Sequence, residues 1–358
     1  MQILLTNWVH QRWLERGTVS CLLLPLAKVV GLMLLWRRRY YEKFYRHRFS
    51  AKIPVVIVGN LYAGGTGKTP AVLGLTQALE AAGWQVGIVS RGYGVQLGSA
   101  PLVGHGALPA KLYGDEPALI AQSTHAALAV HPKRERAATA LLRQYPGLDI
   151  ILCDDGLQHL ALARDVEIIV QDARGLGNGW VQPAGPLRET AKRLTFAYAI
   201  IDNIGVTTLT VGAEHIPSKN SQPLQVKMSQ RITGLRHLAS GKIENLADFL
   251  AKYSVSNLCA LAAIGQPEQF FTSLRKSGFQ LSRTIALPDH TVLSADLMTE
   301  IAERFILITA KDSVKYNLQP DPRIWVVEVQ TIFHEPHFIT EFLKYLKQIK
   351  QSKSVTCD

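Results

Sequence analysis

Cysteine is scarce and dispersed. The 358-residue chain holds four, Cys21, Cys153, Cys259 and Cys357, and none forms a C-x-x-C pair. That spacing excludes a zinc ribbon or a disulfide framework and suits a reducing cytosol. Acidic residues are also in short supply: 28 Asp and Glu against 39 Lys and Arg leave a formal net charge of +11. An excess of that sign fits an anionic partner, whether nucleic acid, nucleotide or acidic membrane, without choosing among them. Repeats and low-complexity tracts are absent. With 47% hydrophobic and 19% charged residues the chain reads as folded, and its length is comfortable for two domains. One more thing is missing, the glycine that should open a phosphate loop.

The stretch "NLYAGGTGKTP" (60–70) meets the general pattern G-x-x-x-x-G-K-[ST] at Gly67, Lys68 and Thr69, but Tyr62 stands where the first glycine belongs. Gly64 and Gly65 sit inside the loop, where backbone must approach a ligand closely. "IPVVIVGN" before it is apolar and β-branched, a buried strand. "PAVLGLTQALEAAG" after it has helical spacing, with Val72, Leu75, Leu79 and Ala82 on one face, Gly83 as a stop and Pro70 in the first turn. Strand, glycine loop and helix together make an anion site from loop N–H groups and a helix N-terminus. The nucleotide-binding set is Tyr62, Ala63, Gly64, Gly65, Thr66, Gly67, Lys68 and Thr69, with Lys68 reaching the β- and γ-phosphates and Thr69 ligating Mg²⁺. A glycine-rich turn with an incidental Lys-Thr is the plainer alternative, and the flanking context weighs against it. Partition-type ATPases also double the glycines, but they carry a lysine just before them, where this chain has Ala63.

The N-terminus carries "VSCLLLPLAKVVGLMLLW" (19–36), with Lys28 as its one charge. As a helix it is about 27 Å long, close to a bilayer core. "RRRYYEKFYRHR" (37–48) follows at once, the basic and aromatic pattern of a cytoplasmic membrane boundary. A cleaved signal peptide would have its basic residues before the run. Pro25 and Lys28 disfavour a full span, so a helix lying in the inner leaflet is expected, against the alternative of a buried packing helix.

Further along, "WQVGIVSRGYG" (84–94), "AALAV" (126–130), "DIILCDDGLQH" (149–159), "VEIIVQD" (166–172) and "FAYAIID" (196–202) read as strands, and "RERAATALLRQY" (134–145) as a helix. Such alternation predicts an α/β fold with a mostly parallel sheet, ligands lying beyond the strand C-termini. "EHIPSKNSQP" (214–223) reads as a linker. "LCALAAIGQPEQFFTSLRKSGFQ" (258–280), "FILITAKDSVK" (305–315) and "IWVVEVQ" (324–330) then predict a second, smaller α/β lobe. The expected division is 1–48 for membrane association, 49–210 for a P-loop NTPase-like lobe and 211–358 for the smaller lobe.

Asp154 and Asp155 end an apolar strand, where P-loop enzymes place an acid near Mg²⁺; a strand-end turn is the alternative. His159 close by has no assigned role. Asp115 and Glu116 in "YGDEP" precede a helix that Asp115 could simply cap. "VQPAGPLRET" (181–190) sets Arg188 and Glu189 on a rigid loop, "SRGYG" (90–94) places Arg91 and Tyr93 after a strand, and "LPDHT" (287–291) carries Asp289 and His290. Singly these are weak signals; their order is not.

"GNLYAGGTGKTP", "SRGYG", "GDEP", "ILCDDGLQH", "QPAGPLRE", "AIGQPEQF", "PDH" and "TAKDSVK", in this order from 59 to 315, resemble the tetraacyldisaccharide 4′-kinase family of lipid A biosynthesis. The resemblance implies transfer of the ATP γ-phosphoryl group to the 4′-hydroxyl of tetraacyldisaccharide 1-phosphate, forming lipid IVA at the cytoplasmic face of a Gram-negative inner membrane. It implies a peripheral or monotopic protein with ATP and Mg²⁺ as cofactors and a lipid substrate, with neither nucleic acid nor an obligate protein partner expected. The family's loop commonly lacks the first glycine, which accounts for Tyr62. By the same resemblance Lys68 and Thr69 bind phosphate and metal, Asp155 and Glu189 are metal-side ligands, Asp115 is the base assisted by His290, and Tyr93 sits at the nucleotide. Arg91, Asp154 and Arg188 complete the candidate set. The family usually has Phe where Leu157 stands and Glu where Ala310 stands. The first swap is apolar for apolar; the second removes a carboxylate, so no catalytic role is placed there. The rival reading is a membrane-associated partition-type or nucleotide-switch ATPase, which would hydrolyse ATP without a phosphorylated product. A nucleic-acid-dependent ATPase fits less well, because the densest basic run abuts an apolar helix.

Overall fold

A computed structural model describes residues 13–43, 49–96, 98–206, 223–253, 257–316, 319 and 321–355. Most of the expected linker (214–222) and the end of the basic flank (44–48) lie outside the described residues.

The strands are β1 (Val55–Gly59), β2 (Val86–Ser90), β3 (Leu102–Gly104), β4 (Ala127–Val130), β5 (Ile150–Asp154), β6 (Val166–Asp172), β7 (Ala199–Val206), β8 (Leu224–His237), β9 (Ile243–Asn245), β10 (Leu258–Ala262), β11 (Leu281–Ala286), β12 (Phe305–Thr309) and β13 (Ile324–Phe333). The helices are α1 (Thr18–Lys43), α2 (Lys68–Ala81), α3 (Ala110–Tyr113), α4 (Asp115–Ser123), α5 (Arg134–Gln144), α6 (Leu246–Lys252), α7 (Pro267–Lys276), α8 (Ala295–Thr299), α9 (Ala310–Ser313) and α10 (Phe338–Val355). The expected helix after the phosphate loop starts two residues earlier, at Lys68, and Gly83 (φ +82°) closes it with its amide donating to Glu80 O at 2.9 Å.

The thirteen strands among the described residues join one sheet in the order β11-β10-β12-β13-β8-β7-β6-β1-β5-β2-β4-β3, with β9 paired to β8. The pairs are parallel except β8–β13, β3–β4 and β8–β9. Both faces of the central strands are buried: Val56 and Val58 pack toward α2, while Val55 and Ile57 pack toward α5 and α1. That is why these strands read as continuous apolar runs without alternation.

The two expected lobes share one sheet, each with a core on either face of it. β8 bridges them, parallel to β7 on one side and antiparallel to β13 on the other. The C-terminal segment does not stay with the smaller lobe: Phe338, Phe342 and Leu346 of α10 join the core beside α2. Lys353 donates to the carbonyls of Ala51 and Ile53, both at 3.1 Å, and pairs with Asp165 at 2.7 Å.

α1 lies against the first lobe with a seam of small residues. Ser20, Ala27 and Gly31 are buried, and a Cβ at Gly31 would meet Thr190 and Val181 at ordinary contact distance. Leu22, Leu26, Val29, Met33 and Trp36, spaced three and four apart, form an exposed apolar stripe on the helix; Leu22 is 76% exposed. The helix is long and apolar enough to cross a membrane, yet one side of it is committed to protein.

Candidate active site

The phosphate loop follows β1, Asp154 ends β5, Ser90 ends β2 and Asp172 ends β6, so the C-terminal edge of four neighbouring strands supplies the site. Gly64 (φ +111°) and Gly67 (φ +93°) take backbone angles that side chains resist. Tyr62 is buried and Ala63 donates its amide to Pro186 O at 2.9 Å. Gly64 and Gly65 are exposed, Thr66 is buried, and Lys68 and Thr69 open α2. Gly59, just before the loop, leaves no spare room: a Cβ there would lie 2.6 Å from Cγ of the buried Leu157. Leu157 therefore floors the loop by packing, in keeping with an apolar exchange.

Lys68 Nζ lies 3.6 Å from Asp155 Oδ1 and donates to Asn60 Oδ1 at 3.2 Å. Arg188 Nη1 reaches both Asp155 oxygens at 3.3 Å. Burial opposes ionisation of Asp155, but Lys68, Arg188 and Arg134 outweigh it and hold its carboxyl below the ordinary value. Asp154 behaves oppositely. Burial, with Glu116 and Asp155 adding negative charge, pushes it up to about 7. Its Oδ1 is buried without a hydrogen-bond partner, and Ser90 Oγ approaches Oδ2 at 3.5 Å.

Asp115 is not the helix cap. Gly114 (φ +93°) holds that position, and a Cβ there would press on Tyr93 O at 3.0 Å. Asp115 thus opens α4 with its carboxylate free for another contact, and His290 Nδ1 lies 2.9 Å from its Oδ2 across the two lobes. Tyr93, 65% exposed, sets its ring 5.7 Å from that of His290. Lys311 lies 3.5 Å from Glu116 Oε1 and 3.2 Å from Asp289 Oδ1, binding the same lobes together. Asp155 (φ +48°) and His290 (φ +65°) are two of the three non-glycine residues with left-handed backbone among those described. Strain of that kind concentrates where function holds it.

Some candidates stand elsewhere. Glu189 is engaged by Arg193, whose Nε lies 3.6 Å away, and Arg193 also bonds Glu167. Burial raises the Glu189 carboxyl, and the main charges acting on it are Arg193, Glu167, Arg164 and Arg38, not Lys68. Arg91 lies exposed at the end of β2. His159 holds the start of α5, with Nε2 2.7 Å from Glu135 Oε2 and 3.0 Å from the Arg134 amide. Among the described residues, no group of three or more His, Cys, Asp or Glu gathers as a metal site. Sequence reasoning missed Asn60, Asn203, Arg174 and Arg134, whose nitrogens bond loop and turn carbonyls. Asn60 carried the one available signal, a polar residue directly after a buried strand.

A phosphate loop after β1, acids at the end of β5 and a second lobe reaching over them define a P-loop phosphotransferase. The model of the LpxK family, tetraacyldisaccharide-1-P 4′-kinase, matches residues 19–347. The tetraacyldisaccharide 4′-kinase of Bordetella parapertussis is 47% identical over 93% of this chain and 94% of its own. That of Tolumonas auensis is 36% identical over 96% and 98%. The crystal structure of LpxK from Aquifex aeolicus in complex with ATP superposes with a TM-score of 0.75 at 26% identity, covering 93% of this chain and 99% of that one. The chain belongs to the tetraacyldisaccharide 4′-kinase family.

Proposed function

We propose that the protein transfers the γ-phosphoryl group of ATP to the 4′-hydroxyl of a tetraacylated disaccharide 1-phosphate. The observation that carries this reading is the Asp115–His290 contact, made across the lobes beside a phosphate loop. A nucleotide switch needs the loop; it has no use for a base held by a histidine from a second lobe.

The loop amides and the α2 N-terminus hold the phosphates of ATP, and Lys68 turns from Asp155 toward the β- and γ-oxygens. Asp115 accepts the proton of the sugar hydroxyl as the bond to phosphorus forms, and His290 orients it and shares that proton. Arg188 adds positive charge near the transferring group. Closure of the lobes excludes water and limits hydrolysis. Mg²⁺ fits the donors: Thr69, Asp155 and the unpartnered Oδ1 of Asp154 are hard oxygens of the kind it takes. When bound it neutralises charge on the β- and γ-oxygens. Glu189 joins that set only by leaving Arg193, so the metal-side role rests first on Thr69 and Asp155. The apolar stripe of α1 lies in the cytoplasmic leaflet of the inner membrane, where the acceptor resides, and the basic residues after it meet anionic headgroups.

The test is direct. Incubated with Mg²⁺-ATP and the acylated disaccharide 1-phosphate, the protein yields a lipid heavier by one phosphate on mass spectrometry. ATP hydrolysis without that product would favour the switch reading and sink this one.

A further inference from the structure

Where the general motif has a glycine, this loop has a buried tyrosine with an arginine laid over it: Arg174 Cζ sits 4.3 Å from the Tyr62 ring centroid. The same guanidinium donates from Nη2 to Gly65 O at 2.5 Å. Asp172, at the end of β6, fixes it. Arg174 Nε donates to Oδ1 at 3.0 Å and Oδ2 at 3.1 Å, and Nη2 to Oδ2 at 2.6 Å. β6 lies beside β1, with Ile169 opposite Gly59. The arginine is thus mounted in the turn after the neighbouring strand, not on the loop it grips.

Two asparagines act in the same way. Asn60 Nδ2 donates to Tyr62 O at 2.7 Å and Gly64 O at 3.0 Å. Asn203 Nδ2, from β7, donates to Thr66 O at 3.2 Å, and a Cβ on Gly67 would lie 2.1 Å from that nitrogen. Three consecutive carbonyls, of residues 64, 65 and 66, are therefore each pinned by a side chain from outside the loop tip. A trans peptide directs its N–H opposite to its C=O. Pinning those oxygens fixes the direction of the N–H groups of Gly65, Thr66 and Gly67, the donors a phosphate-binding nest needs.

Resting on the kinase reading above, we propose that Arg174, with Asn60 and Asn203, is a positioning residue of the phosphate loop, holding its amides oriented for a nucleoside polyphosphate. At the position of the missing glycine, the buried Tyr62 ring gives the Asp172–Arg174 fork a surface to stack on. Lysine does not substitute, because an ammonium cannot stack flat on the ring and bridge a carboxylate and a carbonyl in one plane.

The experiment measures Mg²⁺-ATP and adenosine affinity of the full-length, detergent-solubilised protein by calorimetry, alongside kinase kinetics. Arg174→Met and Arg174→Lys are both expected to weaken ATP binding roughly tenfold or more. Adenosine affinity stays unchanged, and KM for ATP rises more than kcat falls. Asn203→Ala carries the same expectation while leaving the arginine and Asp172 paired, and it decides the matter if the arginine variants do not fold. Wild-type ATP affinity in these variants, full rescue by lysine, or an equal loss for adenosine overturns the inference. Wild-type protein that binds no ATP overturns the kinase reading instead.

Discussion

At the level of single residues the site is a set of opposed charges. Lys68 faces Asp155, and Asp155 is shared with Arg188. Removing the lysine takes away the cation that meets the developing charge on the transferred group. Lys68→Ala is expected to lower kcat by about 10²–10³-fold or more, measured by product formation at saturating substrates. Turnover near wild type would mean that the loop holds something other than the reacting phosphates. Asp115 and His290 lie in direct contact and so should act as one unit. Asp115→Ala and His290→Ala each reduce kcat strongly with ATP affinity nearly intact, and the double variant costs much less than the product of the two. Steady-state kinetics of the three variants with separate nucleotide binding checks this. Effects that multiply independently count against a base and its orienting partner.

Two helices carry predictions of their own. α1 presents small residues to the protein and large apolar ones outward. Leu26→Asp with Val29→Asp charges only the outward stripe, so the folded core is spared. The pair is expected to shift the protein from the membrane pellet to the supernatant, read by flotation with anionic vesicles; retention in the pellet would show that another surface anchors it. α10 is tied to the first lobe by Lys350, which bonds Asp149. Burial opposes ionisation of Asp149, yet the Gln85 amide and Lys350 hold its carboxyl below the ordinary value. A carboxyl depressed in the folded state stabilises above its unfolded value, near pH 4, and that contribution is lost as the pH falls through the folded value. Lys350→Ala should cost no more than about 1 kcal/mol at pH 7, since both groups are partly exposed. The gap to wild type in thermal melts should narrow as the pH falls below the unfolded value and close once it has passed below the folded value of Asp149. A gap that persists at low pH assigns the effect to lost packing over Trp84, whose ring the Lys350 ammonium also approaches.

Over the whole molecule, one sheet carries both lobes, and Asp115 and Glu116 of the first meet His290 and Lys311 of the second where the lobes face each other. Lys311, on α9 of the smaller lobe, is the cation between Glu116 and Asp289. Burial works against its charge, but those two carboxylates outweigh it and raise its pKa. Lys311→Met leaves the carboxylates facing each other without a counter-charge. It should lower kcat at least tenfold, by roughly the cost of an unpaired, partly buried charge, while ATP affinity, set by the other lobe, changes little. Equal losses in both would mean that Lys311 serves the nucleotide and not the approach of the lobes. Ala310, beside it, leaves that lysine as the charged side chain of α9 that spans the interface.

What the sequence determined unaided is what short-range physics encodes. The strand, glycine loop and helix from 54 to 83 were legible from apolar periodicity and from glycines where the backbone turns left-handed. The alternation of strands and helices, the apolar run of α1 and the ordered motifs around Lys68, Asp115, Asp155 and His290 were legible for the same reason, since each strand, helix or motif is written in a short contiguous stretch. Tertiary structure alone decided the rest. That β8 and β13 join the lobes into a single sheet, and that α10 returns to the first core, depends on pairing between segments far apart in the chain. That Glu189 turns to Arg193 depends on which charges burial brings near it. The grip of Asn60, Arg174 and Asn203 on the phosphate loop involves side chains just after β1, just after β6 and within β7, and a hydrogen bond to a carbonyl leaves no mark in composition or spacing.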